Sequence, residues 1–428
     1  MFGRFLISPP CRPLLLLCML AVPHTPMAVT EGLKIPNLGE SSTSLFSADY
    51  EYQLGRMWLR SFRGQAPIKN DPLLHSYLEG LVFELVQHSE LQDRRIELVI
   101  VDNPTINAFA VPGGVIGVHS GLFQYAMTED EFATVMAHEI AHLSQRHFSR
   151  RIEMAQEQGP MQIAGLLAGI LLAATVGTDA GMAAMTTAQG LTQDAQLRYS
   201  RANEAEADRV GLRTLYNAGM DPYAAPQMFE RMYAATRYSQ TDRVPEFLRT
   251  HPLSEKRIAD TRTRAMQYPR RIRSVSLDYQ LMRARVAVQA MRTPEEAVSM
   301  FRSALEGESI SDAATTYGLV LALTAAGRAD EAALALDSIW SDDRNRIEYV
   351  IAGAEIDLAR GDAARAVSTL ERRLTLSPGN HPLTMSYASA LQQSGSPHLA
   401  EAVLLEQSRL VTTDPGLWYL LAEVQGLA

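Results

Sequence analysis

Cysteine is nearly absent from this 428-residue chain, and the two present, Cys11 and Cys18, both fall in its amino-terminal leader. A processed chain would hold none, which excludes disulfides, thiolate metal ligands and a cysteine nucleophile. A concentrated basic face is missing too. The chain carries 39 Lys and Arg against 48 Asp and Glu, a formal net charge of −9, with no basic run of the kind that phosphate binding requires, so a nucleic-acid partner is excluded. Long hydrophobic runs are also lacking. Leu14 to Val22 is too short to span a bilayer comfortably, and the uncharged, Ala/Gly/Leu-rich stretch from Met161 to Gly177 is of marginal length. A buried hairpin or a membrane-touching loop suits 161–177 better than a spanning helix, so peripheral membrane contact is expected there.

The leader has the elements of an export signal: Arg4 and Arg12 ahead of the apolar run, then Pro23 and Met27-Ala28. A signal peptide over 1–28 is therefore expected. Its removal leaves an acidic, cysteine-free chain suited to a bacterial periplasm, where folding needs no oxidation machinery.

The rest divides by pattern. Apolar residues recur at helical spacing from Leu73 to His88, while Ile96 to Val101 reads as a strand. Asp102-Asn103-Pro104 signals a turn, Asn107 to Val111 follows, and Val115 to His119 reads as a further strand after Pro112-Gly113-Gly114. A small sheet beside helices makes the class α+β, mostly α. The charged stretch Arg257 to Arg273 is expected to bound this first domain, over 29–275. Beyond it Gly327, Gly361 and Gly395 recur every 34 residues, as do Ala332, Ala366 and Ala400, and Leu336, Leu370 and Leu404. That period is the tetratricopeptide one, in which Gly allows a turn between paired helices and Ala allows their close approach. An all-α repeat solenoid with a concave groove is expected over 276–428.

The chemistry centres on His138-Glu139-Ile140-Ala141-His142. Two histidines four apart share one helical face, so both rings can reach one metal, with Glu139 beside them as general base. Thr128 and Glu131 predict the start of that helix, which is expected to reach about Arg150. A third ligand decides the class. Gln145 and Phe148 stand where a metzincin needs glycine and histidine. His147 lies about 140° around a continuous helix from the shared face, so it is expected at the surface. Downstream, Ser200 to Asp208 (SRANEAEAD) offers Glu204 as a ligand and Asp208 as acceptor for the far nitrogen of a ligand histidine, while Glu206 points elsewhere.

The HEIAH helix, the SRANEAEAD segment and the NAFAVPGG strand together resemble the gluzincin peptidases that include HtpX and the prenyl-protein CAAX protease. With the leader and repeats, the likeness extends to a periplasmic branch of that family. It implies one Zn²⁺ per chain held by His138, His142 and Glu204, with catalytic Glu139 and a supporting Asp208. It also implies that Asn107 to Val111 is an edge to which extended substrate adds, through Ala108, Phe109 and Ala110. His251, in THPLSEKR, matches the family as well. It is expected in the active site, either stabilising the oxyanion or binding the metal in a closed state and displacing the catalytic water. The resemblance implies an endopeptidase acting on unfolded or misassembled envelope proteins, or an assembly factor for outer-membrane β-barrels in which proteolysis is secondary. The repeats would then meet substrate or the β-barrel assembly machinery.

Overall fold

The computed structural model describes residues 47–156, 193–238, 246–307, 309–341, 343 and 345–426. The expected leader, 1–28, and the apolar stretch 161–177 lie outside the described residues. Among the described residues no helix is long and apolar enough to cross a membrane. The described residues belong to one compact unit, 46–428.

Two helices open it: α1 (Ala48–Arg63), capped by Ser47, and α2 (Pro72–Gln87), capped by Asp71 with Pro72 at its first position. The strands β1 (Glu97–Val101), β2 (Ala108–Val111) and β3 (Val115–His119) form a mixed sheet in the order β1, β3, β2, with β3 parallel to β1 and antiparallel to β2. Side chains alternate across it as the period of two requires. Val99, Val101, Val111 and Val115 pack with Trp58 and Phe62 of α1 on one face, while Leu98, Ile100, Ala108, Ile116 and Val118 join the main core on the other.

Strand β2 therefore lies at the edge of the three-stranded sheet. Two features hold it there. The ring of Phe109 lies where a side chain on Gly117 would be, so only glycine fits at that cross-strand partner. The same ring meets Trp58 and Phe62 edge-on at 5.8 and 5.6 Å.

After α3 (Ser120–Tyr125) comes α4 (Glu129–Ser144), which carries HEIAH and is buried continuously from Glu131 to Ala141. A helix buried all round belongs at the centre of a domain, and this one runs beneath the sheet. Thr128 caps it, accepting from the Glu131 N–H at 3.2 Å. The reciprocal bond is shifted by one residue: the Glu131 carboxylate accepts from the Met127 N–H at 2.6 Å, not from Thr128. The helix does not continue to Arg150. It ends at Gln145, Arg146 turns into the left-handed region at φ 51°, and a new helix, α5, begins at His147 and runs to Gln156.

Helix α6 (Gln193–Asn217) crosses α4. The two backbones touch at Gly211, where a Cβ would lie 3.1 Å from the main-chain oxygen of Ala137 and the nitrogen of His138. Helices α7 (Ala224–Tyr238) and α9 (Glu255–Ala265) pack on this pair, with the short α8 (Glu246–Thr250) between them. The segment from Arg257 was expected as a charged boundary. Its first turns are instead built in, with Arg257, Ile258, Thr261 and Ala265 buried.

The remainder is helical. Helices α10 (Leu277–Ala290) and α11 (Pro294–Glu306) precede the pairs α12/α13 (Asp312–Ala325, Ala329–Trp340), α14/α15 (Ile347–Ala359, Ala363–Leu376) and α16/α17 (His381–Gln393, Pro397–Gln407), with α18 (Pro415–Val424) last. Gly327, Gly361 and Gly395 sit at the turn within each pair at φ 72°, 81° and 79°, which explains their spacing. The array is seated on the first part of the chain. The Tyr279 hydroxyl donates to the Ala126 carbonyl at 2.9 Å, Gln280 donates to Met127, and buried Asp71 accepts from Arg285 and Gln289 at 2.6 and 2.7 Å.

The contact at Gly211 yields a test. Leucine favours a helix over glycine by about 0.8 kcal/mol, so any loss in a Gly211→Leu variant reports crowding against α4. A net loss of about 1–3 kcal/mol, read from urea unfolding, is expected; a neutral or stabilising result would show that the helices are free to part.

Candidate metal centre

Helix α4 presents His138 and His142 on one face, one turn apart, and their Nε2 atoms lie 3.1 Å from each other. The approach of α6 at Gly211 carries Glu204 to the same point. Its carboxylate lies 3.4 Å from His138 Nε2 and 3.5 Å from His142 Nε2. His251 follows α8, whose first residues are tied down by a Phe247 N–H to Ile106 C=O bond of 3.0 Å just before β2. Stacked on Phe247, His251 places its Nδ1 3.1 Å from Glu204 and 3.4 Å from His138 Nε2. Four side chains from three separate stretches of chain thus offer one donor atom each within 4.8 Å of one another.

The donor set fits zinc. Imidazole nitrogen and carboxylate oxygen are borderline ligands of the kind zinc takes, and bonds of about 2.0–2.1 Å in a tetrahedron place ligand atoms roughly 3.3–3.4 Å apart. The separations of 3.1–3.5 Å bracket that value. The electrostatics agree. Burial disfavours a charged His138, yet the Asp208 and Glu204 carboxylates outweigh it and push its pKa up to about 10. Glu204 is itself buried, which alone would raise its pKa, but His251 and His138 hold it well below the usual carboxylate range. A pocket whose field draws cations this strongly suits a divalent ion.

His138 and Glu204 are braced from behind. His138 Nδ1 lies 3.1 Å from Asp208 Oδ1, though not in line with the ring N–H. Asp208 is gripped in turn by the Arg257 guanidinium through two bonds of 2.8 and 2.7 Å. Arg257 also reaches Glu204 at 3.0 Å and donates to the Pro252 carbonyl at 2.8 Å, tying the ligand helix to the residue after His251. The chain of partners His138, Asp208, Arg257 was half legible in sequence: Asp208 was expected, Arg257 was not. Spacing gives no sign of Arg257; it becomes partner to Asp208 only because α9 folds back over α6.

Glu139 is buried on the neighbouring face of α4, and burial raises its pKa against the influence of His251 and His138. The nearby Ala110 main-chain N–H also favours its ionised form, and Oε1 lies 3.5 Å from His251 Nε2. His251 therefore sits between the donor cluster and Glu139.

The β2 edge can be read in the same detail. The His119 N–H donates to the Asn107 carbonyl, so in the alternating antiparallel pattern Asn107, Phe109 and Val111 face β3. The main chain of Ala108 and Ala110 points away from the sheet, and the contact of Ala110 with Glu139 is consistent with this. Of the three expected contact residues, Phe109 spends its main chain on β3 and its ring on Gly117.

One expectation is corrected outright. His147 is not a surface residue: it is buried, with its Nδ1 2.9 Å from His142 Nδ1 and its Nε2 3.1 Å from Glu206. The rotation argument assumed a continuous helix, and the turn at Arg146 removes that assumption. Glu206 does point away from the donor cluster, toward His147 and Arg150. His119 is structural as expected: buried, bonded to Thr105 at 2.8 Å, and kept neutral with its pKa pushed down to about 4.

Comparison with known proteins bears on this geometry directly. The model of peptidase family M48 matches residues 72–265, a span that holds all four converging side chains. The beta-barrel assembly-enhancing protease of Escherichia coli (strain K12) is 35% identical over 392 residues, 91% of this chain and 80% of that protein. Its namesake from Yersinia pestis is 32% identical over 422 residues, 96% and 85% of the two chains. The mitochondrial metalloendopeptidase OMA1 of Schizosaccharomyces pombe is 34% identical over 182 residues, 42% of this chain and 50% of that one. Because the likeness runs through the donor cluster and across most of both chains, this protein belongs to peptidase family M48 and is a zinc-dependent metalloprotease.

Proposed function

We propose that this chain is a periplasmic zinc endopeptidase that cleaves unfolded or misassembled envelope proteins, outer-membrane β-barrel proteins among them. The observation that carries this reading is the juxtaposition of the donor cluster with an edge strand of the sheet. Glu139 links the two, lying against the Ala110 N–H on one side and His251 on the other. An edge strand recognises main chain rather than a particular side-chain sequence, and only an unfolded or extended segment has main chain free to pair. The names of the relatives point to β-barrel assembly as the setting.

In this reading His138, His142 and Glu204 hold the zinc, which supplies Lewis acidity to water and to the scissile carbonyl. Substrate lies along β2, pairing with the outward main chain of Ala108 and Ala110, while Phe109 keeps the strand rigid. Glu139 takes the proton of the attacking water and delivers it to the leaving amine, and its raised pKa brings it nearer the working range for that exchange. Asp208 and Arg257 fix the orientation of His138. The domain boundary falls near 275, and the helix pairs of 276–428 present a groove for substrate or for the β-barrel assembly machinery.

His251 acts as a stopper in this conformation. Its Nδ1 lies among the donor atoms that would hold the zinc, 3.1 Å from Glu204 and 3.4 Å from His138 Nε2, and its Nε2 lies 3.5 Å from Glu139. Hydrolysis requires it to swing out. A protease held shut at rest also favours the second reading, in which assembly of β-barrels is the main task and proteolysis the reserve.

Two variants test these assignments. Glu139→Gln is expected to lose about 10²–10⁴-fold in hydrolysis of an unfolded β-barrel protein while keeping its zinc; full activity would remove Glu139 from the chemistry. If that variant still supports β-barrel assembly in cells as wild type does, assembly is the primary function. His251→Ala is expected to raise hydrolysis of the same unfolded substrate and leave the folded barrel intact, whereas lowered hydrolysis would make His251 a stabiliser of the oxyanion instead.

A further inference from the structure

The two histidines of the HEIAH helix are supported in different ways. His138 meets a carboxylate, Asp208, directly. His142 meets another histidine. Its Nε2 faces the donor cluster and its Nδ1 lies 2.9 Å from Nδ1 of His147, whose Nε2 lies 3.1 Å from Glu206 Oε2. Glu206 is pinned in turn by Arg150 at 3.0 Å.

A neutral imidazole carries one hydrogen, so the positions of the hydrogens follow from the chemistry. If His142 gives its Nε2 lone pair to a metal, its hydrogen is on Nδ1 and donates to His147. His147 must then accept on a bare Nδ1, which places its own hydrogen on Nε2, donating to Glu206. Both hydrogens point outward, and the carboxylate stands at the far end. This is the carboxylate–histidine–metal arrangement lengthened by one imidazole.

A second observation shows that the fold is bent to make this contact. A continuous helix would carry His147 about 140° away from His142. The chain instead breaks at Gln145 and holds Arg146, a residue with a Cβ, at φ 51°. Such a conformation is strained in a non-glycine residue and persists only where the surroundings impose it. Those surroundings are present: Glu51 of α1 accepts from the Arg146 guanidinium and from Ser149 Oγ, at 2.6 Å for the latter, anchoring both sides of the turn. Buried His147 is thereby delivered at the start of α5, against His142.

We propose that His147 is a positioning residue for zinc binding, fixing the tautomer and ring orientation of His142 through a relay that ends on Glu206. This rests on His142 being a ligand, as proposed above. The relay's effect is on metal affinity, because an imidazole already held in the ligating tautomer loses less freedom on binding.

The test is zinc affinity, measured by chelator competition on purified protein, alongside thermal melting of the metal-free form. His147→Leu fills the space without an acceptor and is expected to weaken zinc binding about 10–100-fold. His147→Asn restores an acceptor near the Nδ1 position and is expected to bind at least about tenfold tighter than His147→Leu. Glu206→Ala, at a half-exposed site, is expected to show a smaller loss with unchanged metal-free melting. Wild-type affinity in His147→Leu, or equal weakening in the Leu and Asn variants, would overturn the relay. Should His147→Leu fail to fold, wild-type affinity in Glu206→Ala would do the same. Failure of the wild-type chain itself to bind zinc would instead overturn the ligand reading on which the relay stands.

Discussion

The close crossing of α4 and α6 is the constraint on which the site depends. Neither helix holds a complete donor set: α4 brings two imidazoles and α6 brings carboxylates, and only near-contact of their backbones sets them at ligand distance. Gly211 makes that approach possible, since a side chain there would meet main-chain atoms that cannot rotate away. The same contact sets His138 between Asp208 behind and Glu204 in front. The polar groups along α4 are largely buried, so each is costly unless it finds a partner within the protein or in a bound ion.

From this crossing the rest is arranged in layers. The sheet lies on α4 with the β2 edge toward Glu139, and α8 carries His251 onto the cluster from the side of β2. Arg257 then joins the support of His138 to the residue that follows His251, so the two sides of the donor cluster share one buried cation. Displacing His251 must leave the Arg257–Asp208 pair intact, because a buried carboxylate stripped of its partner is costly. The helix pairs brace the start of α4 through Tyr279 and Gln280, which fixes one end of the helix that bears the chemistry.

Much of this was legible in the sequence, for physical reasons that can be named. Alternation gave the strands: Val115 to His119 was read with the bounds it has in the structure. Spacing of four gave the shared face of His138 and His142, and a second spacing of four linked Glu204 with Asp208. The 34-residue glycine period gave the turns at Gly327, Gly361 and Gly395. What was not legible depended on a local departure from regularity or on a contact distant in sequence. Ser144-Gln145-Arg146 contains no glycine or proline, so nothing announced the break that carries His147 inward. Arg257 read only as the start of a charged boundary stretch, and its place as partner to Asp208 follows from α9 closing over α6. Phe109 was read as a contact for substrate, whereas its ring is committed to Gly117, a pairing that only the register of β2 against β3 reveals.

The central claim is that His138, His142 and Glu204 form one zinc site across two helices. Metal analysis of the purified chain beside its Glu204→Gln variant tests it most directly. One zinc per chain is expected in the native protein and loss of stoichiometric zinc in the variant, with the helical content of both unchanged. Stoichiometric zinc retained by Glu204→Gln would contradict it.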